Sequence, residues 1–365
     1  MALVLNEEQQ LLKDAAVGFF AENAPVSQLR KLRDDADEQG YSTDLWQSMA
    51  EMGFCGVLIP EEQGGAGFGL VGAGIIAEAM GTTLAASPWF ASSVVAALVV
   101  QQLGSDEDKA DLLPQIASGE KIVTLALDEG PQFDPSDLVM AVSEDGLKGL
   151  KTYVPDGHVA DLILVAAKDG DGLAVYLVDA KAENLIIDRT VMTDSRNWAK
   201  LTFEGVKPVR RLGSGDATKG LMNALDRANA VVSAELLGIS ERCLADTTDY
   251  LKQREQFGTA IGTFQALQHR ASHLYSEIAV SRSAVLKALQ MGEGSHDIGW
   301  FASVAKARAV KSATLATNEA IQMHGGIGMT DEYDIGFFIK RARPISTLYG
   351  GEAWHTDRFA RLSGY

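Results

Sequence analysis

The chain has 365 residues, of which 46% are hydrophobic, and its 32 basic and 49 acidic residues give a net charge of −17. This length allows two or three structural units around a sizeable core. The acidic balance, with no basic block anywhere, argues against nucleic acids and anionic membrane surfaces as partners.

The cysteines and the start of the chain favour a cytoplasmic protein. Cys55 and Cys243 are far apart among apolar neighbours, which favours buried thiols over a disulfide framework or a thiolate metal site. Acidic and amide residues follow Asn6 at once, which leaves no room for the apolar region of a signal peptide. The longest apolar stretch, residues 93–100, is far shorter than the ~20 residues that a membrane span requires.

Residues 1–120 have the pattern of a helical domain. Asn6 precedes Glu7 and Glu8, which predicts a capped helix with acidic residues in its first turn. Residues 70–80 are expected to form a further helix. Apolar faces are predicted from the spacing of Leu11, Leu12, Ala15 and Phe19, and of Leu45, Met49 and Met52.

Residues 67–72, GFGLVG, match the glycine pattern of a dinucleotide-binding fold. Such a site needs a strand before the glycines and, about 20 residues later, an acidic residue at the end of a second strand. Residues 56–59 could pass for the first strand, but the chain then continues through Thr82, Thr83 and Ser87 into another helical run. We therefore interpret the match as coincidental.

The pattern changes to short β-strands over residues 121–214. Apolar segments rich in β-branched residues are separated by Asp-Gly, Pro-Asp-Gly and Gly-Asp-Gly turns. Closely spaced strands of this kind predict an antiparallel barrel or sandwich, and we expect a middle β-barrel domain. The predicted strands are residues 122–127, 137–143, 161–168, 173–179, 184–188 and 199–206.

Residues 215–365 return to a helical pattern, with one helical run over residues 297–323. We expect a C-terminal four-helix bundle of long antiparallel helices. The fold class is therefore α+β, in the order helices, β domain, helices. Helical spacing relates Leu225, Val232, Leu236, Ile239 and Cys243, and likewise Leu267, Ala271, Leu274, Ile278, Val285 and Leu289.

Two polar, glycine-containing stretches in the last third of the chain are candidate binding motifs. Residues 253–265, QREQFGTAIGTFQ, lie between two predicted helices, and residues 322–328, QMHGGIG, end another. Glycine lets backbone N–H groups face a ligand because no Cβ blocks the approach. Either stretch alone is typical of an ordinary helix end, so the functional interpretation depends on their occurring together.

Together these motifs resemble the acyl-CoA dehydrogenase family, whose flavin enzymes carry an Arg-x-x-Phe-Gly turn, a Phe-Gln at the next helix start and a late Gln-x-x-Gly-Gly. The resemblance extends to residues 5–20, 53–69, 113–121 and 160–168, in the family's order. It implies FAD as cofactor, an N-terminal helical domain over 1–120, a β domain over 121–214 and a helical domain over 215–365. The matching motif residues are Arg254, Phe257, Gly258, Phe264, Gln265, Gln322, Gly325 and Gly326.

The resemblance also implies which residues contact FAD. In the family each flavin lies at a subunit interface, with its ring on one subunit's β domain and its adenine and diphosphate at the neighbour's C-terminal helices. Arg254 would make a charge-assisted contact to the diphosphate. The contacts implied along the adenosine and diphosphate are Gln256, Phe257, Gln265, Gln322, Gly325 and Gly326.

The β-domain half of the implied flavin site departs from the family. Where the family has Thr-Glu-Pro-x-Ala-Gly-Ser-Asp, residues 128–137 read DEGPQFDPSD, and only Glu129, Ser136 and Asp137 match comfortably. Residues 153–155, YVP, replace Trp-Ile-Thr, and proline has neither an N–H nor a hydroxyl to offer the flavin. We expect this β domain to hold flavin poorly or not at all.

The family's catalytic carboxylate is absent from both of its usual positions, where this chain has Gly350 and Ala228. Removal of an α-proton needs such a positioned base. Glu352 is a weak candidate for a displaced base, although a solvated or helix-capping role is the more common one. Asp226 matches a family residue near the coenzyme A chain, and Asn229 stands at a usual arginine.

An intact half-site beside a degraded one predicts the non-catalytic subunit of a heteromeric (α2β2) FAD-dependent acyl-CoA dehydrogenase, similar to bacterial two-subunit enzymes for steroid or dicarboxylic CoA esters. Its partners would be a second dehydrogenase subunit, an acyl-CoA substrate and electron-transferring flavoprotein. Two alternatives stay open: a homomeric dehydrogenase using Glu352, and a flavin-free CoA-ester-binding or scaffolding protein. No metal site is expected, because the histidines show no ligand grouping.

Overall fold

The computed structural model describes residues 3–135, 137–170, 172–294 and 298–365. Ser136 of the β-domain motif, Asp171 of a predicted turn and Asp297 at the start of a predicted helix lie outside these residues. The chain divides into two compact units. One unit comprises Met1–Arg30, Gly74–Ala85 and Asn229–Tyr365, and the other Lys31–Ala73 and Ala86–Ala228. Three domains with bounds at residues 120 and 214 stay a prediction.

Helices occupy the first third of the chain, as the sequence predicts. A 3-10 helix at Phe54–Gly56 stands where a dinucleotide-binding fold needs a strand, so the glycine pattern of residues 67–72 is indeed coincidental. The helices are α1 (Glu7–Asn23), α2 (Val26–Asp34), α3 (Thr43–Glu51), α4 (Gly69–Thr83), α5 (Ala97–Leu103) and α6 (Asp106–Ala117), with a π-helix at Phe90–Ala96 and a 3-10 helix at Glu61–Gln63.

The predicted start of α1 is confirmed in detail. The Asn6 side chain accepts a hydrogen bond from the Gln9 amide at 2.8 Å, and the Gln9 side chain accepts one from the Asn6 amide at 3.0 Å. This reciprocal pair is a capping box, which satisfies two N–H groups that have no partner inside the helix.

The predicted apolar face of α1 is wrong by one position. Leu11 is 71% exposed and Ala15 is exposed as well. Two apolar stripes one residue apart have the same helical spacing, and only contact with neighbouring elements decides which of them packs. Met52, which follows the last turn of α3, is also exposed. The stripe of α1 that is buried consists of Leu12, Ala16 and Phe20.

The middle of the chain forms the predicted β domain, with one long strand that the sequence patterns do not predict. That strand is β3, in which Lys148, Gly149 and Lys151 interrupt the apolar alternation. The strands are β1 (Val123–Ala126), β2 (Ala141–Ser143), β3 (Gly146–Pro155), β4 (Leu162–Asp169), β5 (Gly172–Asp179), β6 (Leu185–Val191), β7 (Asn197–Val206) and β8 (Arg210–Arg211).

These strands form one mixed sheet in the order β6-β7-β3-β2-β4-β5-β8, with β1 beside β4. The ladders are antiparallel, as predicted, except that β1 and β2 each pair with β4 in parallel. The side chains of β1 and most of those of β4 and β5 are buried, and the π-helix packs against β1. The core of this unit therefore lies on the central strands.

The last third of the chain is helical, as predicted. The Arg270–Glu319 and Arg308–Glu277 ion pairs, at 2.6 and 2.8 Å, show that α8 and α9 run antiparallel, so the start of α8 lies beside the end of α9. Both α10 and α11, which the sequence patterns do not predict, pack against α9. The elements are α7 (Thr218–Gln253), a hairpin of β9 (Glu255–Gln256) and β10 (Thr259–Ala260), α8 (Gln265–Gly292), α9 (Gly299–His324), α10 (Ile335–Thr347) and α11 (Glu352–Leu362).

The cysteines agree with the sequence prediction. Cys55 and Cys243 are buried free thiols. Burial raises the pKa of Cys55 to about 12 and also raises the pKa of Cys243, so both thiols stay protonated at neutral pH. Among the helices of the described residues, none combines the length and the apolar character needed to cross a membrane.

Candidate functional site

The stretch after α7 folds into a tight hairpin. Strands β9 and β10 pair antiparallel, and the two residues between them, Phe257 and Gly258, have φ values of 55° and 79°. Two successive positive φ values are what the type I′ turn of short hairpins requires. The Ile261 amide donates to the Arg254 carbonyl at 2.8 Å and closes the base of the hairpin. Phe257, at the tip, is 93% exposed.

The hairpin is fixed between α7 and α8. A Cβ on Gly262 would lie 2.9 Å from the Leu251 carbonyl oxygen, so the chain folds back onto α7 at a distance that only glycine allows. The Gln268 side chain then donates to the Gly262 carbonyl at 2.9 Å, which ties the same residue to α8. The hairpin is thus anchored at its base, while its tip projects away from the helices.

The glycines at the end of α9 have different reasons for being glycine. Gly325 has a φ of 66°, which favours glycine. A Cβ on Gly328 would lie 2.9 Å from the Ile321 carbonyl oxygen, so close packing excludes a side chain. A Cβ on Gly326, in contrast, would meet no atom of the described residues within 4 Å. The folded chain itself does not require glycine at position 326.

Because α8 and α9 are antiparallel, the hairpin before α8 and the turn after α9 lie at the same end of the helix pair. We call residues 254–265 and 322–326 the Arg254 surface. It offers one cation, three side-chain amides and an open backbone, a set of groups suited to a phosphate-containing dinucleotide. All the residues for which the sequence predicts flavin contacts are exposed here, namely Arg254, Gln256, Phe257, Gln265, Gln322, Gly325 and Gly326.

The usual position of the base, Gly350, lies in a turn that has no room for a side chain. Its φ is 104°, and Tyr349 before it has a φ of 53°. A Cβ on Gly350 would lie 2.8 Å from Cε3 of Trp354 and 2.9 Å from Nε2 of His355. We call residues 349–351 the Gly350 turn. Both its backbone conformation and its neighbours exclude glutamate at position 350.

Lys306 of α9 is fully buried beneath this turn. Its Nζ donates to the carbonyls of Ile345, at 2.8 Å, and Leu348, at 3.0 Å. Carbonyls at the end of a helix lack intrahelical partners, so Lys306 caps the C-terminus of α10. Burial lowers the pKa of Lys306 to about 7, against the opposing effect of the Glu235 carboxylate.

Two more buried side chains hold the Gly350 turn through the carbonyl of Tyr349. That oxygen accepts hydrogen bonds from Nδ2 of Asn229, at 3.1 Å, and from Nε2 of His355, at 3.2 Å. Burial, followed by the charges of Lys306 and Arg358, lowers the pKa of His355 to about 3, so its ring is neutral at neutral pH. The turn is therefore fixed by side chains from three helices.

The candidate base Glu352 and the other acidic residues near the usual base positions differ in their surroundings. Glu352 is exposed in the first turn of α11, where a carboxylate interacts favourably with the helix dipole. Glu235 of α7 is paired with Arg341 at 2.7 Å, and both side chains are almost completely buried. Ala228, the second usual base position, is fully buried, and Asp226 is buried as well. Solvation and pairing thus account for Glu352 and Glu235 without a catalytic role.

In the β domain, Glu129 forms a structural ion pair. Its carboxylate lies 2.7 Å from Nζ of the fully buried Lys151 and accepts the amides of Val139 and Met140. Burial alone raises the pKa of Glu129, but these hydrogen bonds outweigh it and hold the pKa below its usual value. Glu129 therefore holds the loop before β2 in place through contacts with other residues of this chain.

The strand segment at Tyr153 and Pro155 departs from a regular ladder. The register of β3 against β7 shifts between Lys151 and Val154, which marks a β-bulge. Tyr153, in the bulge, has a φ of 52° and is 43% exposed. The Pro155 carbonyl already accepts the Thr124 hydroxyl at 2.6 Å. Position 155 thus offers a ligand no donor, and its one acceptor is in use.

The Arg254 surface and the β-domain segment at residues 153–155 differ in how they fit FAD. The Arg254 surface has the donor set that a flavin dinucleotide needs at its diphosphate and adenosine. In the β-domain segment, Pro155 lacks the N–H and the hydroxyl that the family's threonine would offer a flavin ring. No sequence pattern indicates that Asn229, Lys306 and His355 lie together behind the Gly350 turn. They are scattered along the chain and become neighbours only after folding.

Comparison with known proteins supports a single family. Residues 6–120 match the N-terminal domain of acyl-CoA dehydrogenases, and residues 218–363 match their C-terminal domain. Acyl-CoA dehydrogenase IpdE2 of Mycobacterium tuberculosis is 30% identical over 343 residues, covering 94% of this chain and 93% of that protein.

Solved structures agree. A steroid ACAD described as Tcur3481–Tcur3483 is 34% identical with a TM-score of 0.89, covering 98% of both chains. The ChsE4–ChsE5 complex of Mycobacterium tuberculosis is 27% identical with a TM-score of 0.91, covering 100% of both chains. The chain therefore belongs to the acyl-CoA dehydrogenase family.

Proposed function

We propose that this protein is the non-catalytic subunit of a FAD-dependent acyl-CoA dehydrogenase. Its Arg254 surface completes the flavin site of a second, catalytic subunit in a heterotetramer, and the complex introduces the α,β double bond into an acyl-CoA thioester. The observation that carries the proposal is the filled space at Gly350, where the family's base would stand.

The chemistry explains why this position matters. An α-proton of an acyl thioester is weakly acidic, so its removal needs a carboxylate held within reach of the carbon. At position 350 the rings of Trp354 and His355 occupy the volume where a side chain would begin. Ala228, at the other usual position, has no ionisable group. This chain has no carboxylate at either place from which family members remove the proton.

The β domain supports the same assignment. Pro155 has neither an N–H nor a hydroxyl, and its carbonyl is bound to Thr124, so position 155 cannot donate to a flavin ring. The bulge at Tyr153 also places an exposed side chain on a distorted backbone at the position of the family's tryptophan. The partner subunit would therefore supply both the base and the surface under the flavin ring.

The Arg254 surface supplies what the partner's flavin needs from a neighbour. Arg254 would neutralise diphosphate charge, while Gln256, Gln265 and Gln322 would donate to or accept from the adenosine and diphosphate. The absence of a Cβ at Gly326, which this chain's own packing does not explain, would allow close backbone approach. Bound FAD supplies the hydride acceptor of the reaction.

The similar proteins suggest the partner and the substrate class. Two of the solved structures are described by pairs of names, one of them as a complex and the other as a steroid ACAD. By analogy, this chain pairs with a second acyl-CoA dehydrogenase subunit, and the substrate is a bulky steroid-derived acyl-CoA. Electron-transferring flavoprotein is the proposed acceptor.

The test is the visible absorbance spectrum of this chain purified alone and after co-expression with a dehydrogenase-like subunit encoded beside it. We expect a flavin band only in the co-purified complex, at about one FAD per pair of unlike chains. One FAD per chain in an active sample of this chain alone would overturn the proposal and favour the homomeric alternative with Glu352. A colourless complex would favour the flavin-free alternative.

A further inference from the structure

Three aromatic rings in mutual contact, those of Tyr250, His324 and Tyr333, lie next to the hairpin and the glycine turn of the Arg254 surface. The ring of His324, the last residue of α9, lies 4.4 Å from the ring of Tyr250 in α7, centroid to centroid, at an interplanar angle of 28°. The Tyr333 ring lies 4.9 Å from the His324 ring and is tilted by 45° against it. The two tyrosine rings are 6.4 Å apart. His324 therefore connects the end of α7 to the segment that follows α9.

The hairpin and the glycine turn are each joined directly to a residue of this ring cluster. The Arg254 amide donates to the Tyr250 carbonyl at 2.8 Å, so the hairpin begins within one helical turn of the first ring. Gly325, with a φ of 66°, follows His324 in the chain and starts the glycine turn. A shift of the His324 ring would move the hairpin and the glycine turn relative to each other.

The contacts of His324 with Tyr250 and Tyr333 are made by its ring, and only one of its two ring nitrogens is hydrogen-bonded among the described residues. The side chain is buried, and its Nδ1 donates to the Ala320 carbonyl at 2.7 Å, which fixes the plane of the ring. Its Nε2 has no hydrogen-bond partner among the described residues. A buried polar atom without a partner is costly, whereas phenylalanine would fill the same space without that cost.

We propose that His324 is a positioning residue that holds the hairpin and the glycine turn of the Arg254 surface in one fixed relation. The dinucleotide then meets both halves already in place and loses less conformational freedom of the protein on binding. This inference rests on the proposed function for its ligand, but the coupling between the two halves is a property of this chain alone.

The coupling is tested first without flavin, by amide hydrogen exchange on the full chain. His324→Asn keeps a donor near the Ala320 carbonyl and removes the ring, whereas His324→Phe keeps the ring and removes the donor. We expect His324→Asn to speed exchange at the Arg254 and Ile261 amides about tenfold or more, and His324→Phe to stay within about threefold of the parent. Exchange unchanged in His324→Asn would overturn the proposal.

A control separates coupling from general loss of stability. Val285 is buried in α8 and lies 20 residues beyond Gln265, about 30 Å along the helix. Val285→Ala should leave exchange in the hairpin unchanged, and equal acceleration by both variants would contradict a specific role for His324. If His324→Asn does not fold, Tyr333→Leu is the second variant. It removes another of the three rings from a half-buried position and must give the same acceleration of amide exchange in the hairpin.

The second readout is the FAD dissociation constant of the two-subunit complex. We expect His324→Asn to raise it about tenfold and His324→Phe to change it less than threefold, with subunit association unchanged in both. A complex that binds no FAD even with the parent chain would overturn the proposed function, while the exchange experiment still decides on the coupling. An FAD dissociation constant that stays unchanged in His324→Asn despite faster exchange would overturn the positioning role.

Discussion

The Arg254 surface and the Gly350 turn both use glycine in a left-handed backbone, with opposite results. At Gly258 and Gly325 the backbone turns outward, and no atom of the described chain lies near a virtual Cβ. At Gly350 the side chains of Trp354 and His355 fill the corresponding space. The Arg254 surface leaves space for another molecule, whereas at the Gly350 turn the chain's own side chains fill that space.

This difference teaches how to interpret a lost catalytic residue. A missing carboxylate at an open position could be replaced by a nearby acid or a ligand group. At Gly350 the rings of Trp354 and His355 fill the space of the missing carboxylate. Asn229 and His355 hold the turn and Lys306 caps the helix before it, so this region now serves stability. Four predictions test this contrast, beginning with the largest expected effect.

Gly350→Glu should destabilise the chain and restore no dehydrogenase activity. The positive φ costs about 1 to 3 kcal/mol in a non-glycine residue, and the contacts with buried ring atoms add a similar amount, so we expect a total of roughly 2 to 6 kcal/mol. Thermal or denaturant unfolding measures this loss. Gly336→Ala in α10, where a Cβ meets nothing within 4 Å, is the matched control and should be neutral or slightly stabilising. A stable and active Gly350→Glu chain would show that the turn is still open.

Arg254→Ala should weaken FAD binding by the two-subunit complex about 10- to 100-fold, because a charge-assisted hydrogen bond to a phosphate is lost. The melting temperature of the chain alone should not change, since Arg254 is exposed. Flavin fluorescence titration measures the affinity. Arg361→Ala removes an exposed arginine that pairs with Asp357 and should leave FAD binding unaltered. Equal FAD affinity in both variants would place the diphosphate elsewhere.

Lys306→Met should destabilise the chain by an amount that grows with pH. Burial lowers the folded-state pKa of Lys306 to about 7, so between about pH 7 and 10 the unfolded chain holds a proton that the folded chain has lost. The stability of the parent chain therefore rises through this window, whereas Lys306→Met lacks this contribution. At pH 9 the loss of two buried hydrogen bonds should cost roughly 1 to 2 kcal/mol, and at pH 6 the cost should be smaller. Urea unfolding at both pH values measures it, and a pH-independent difference would contradict the burial of the amine.

Glu352→Gln should change neither the turnover nor the flavin content of the complex. Glu352 is exposed at the start of α11, and substitutions at such positions have effects within about 0.5 kcal/mol. Steady-state kinetics with an acyl-CoA substrate and an artificial electron acceptor provide the measurement. A large fall in turnover with flavin retained would identify Glu352 as a displaced base and remove the basis for a silent subunit.

The sequence predicted features that depend on local pattern. The Asn6 cap, the run of strands in the middle of the chain and the glycine turn after α9 follow from residues close together in the chain. The phase of α1 could not be predicted, because Leu11 and Leu12 suit a helix equally well and only tertiary contact selects Leu12. Strand β3 was not predicted, because a lysine in a sequence pattern is normally taken as exposed. Lys151 is buried only because it pairs with Glu129.

For the candidate site, motif matching identified the exposed residues and the loss of the base, but not what replaced the base. Lys306 and His355 lie far from Asn229 in the chain, and no spacing links them. Their roles follow from long-range hydrogen bonds, those of Asn229 and His355 to the Tyr349 carbonyl and those of Lys306 to the carbonyls of Ile345 and Leu348. The contact between His324 and Tyr250 is also long-range, since Tyr250 is 74 residues away in sequence and meets His324 only in the folded protein.

The crowding around Gly350 also limits how this position can change by mutation. A glutamate at position 350 and the present rings of Trp354 and His355 cannot share one volume. A glutamate at position 350 would require smaller or differently placed residues at positions 354 and 355. A single-codon change to glutamate at position 350 would meet filled space. A usable carboxylate there would require several codons to change together.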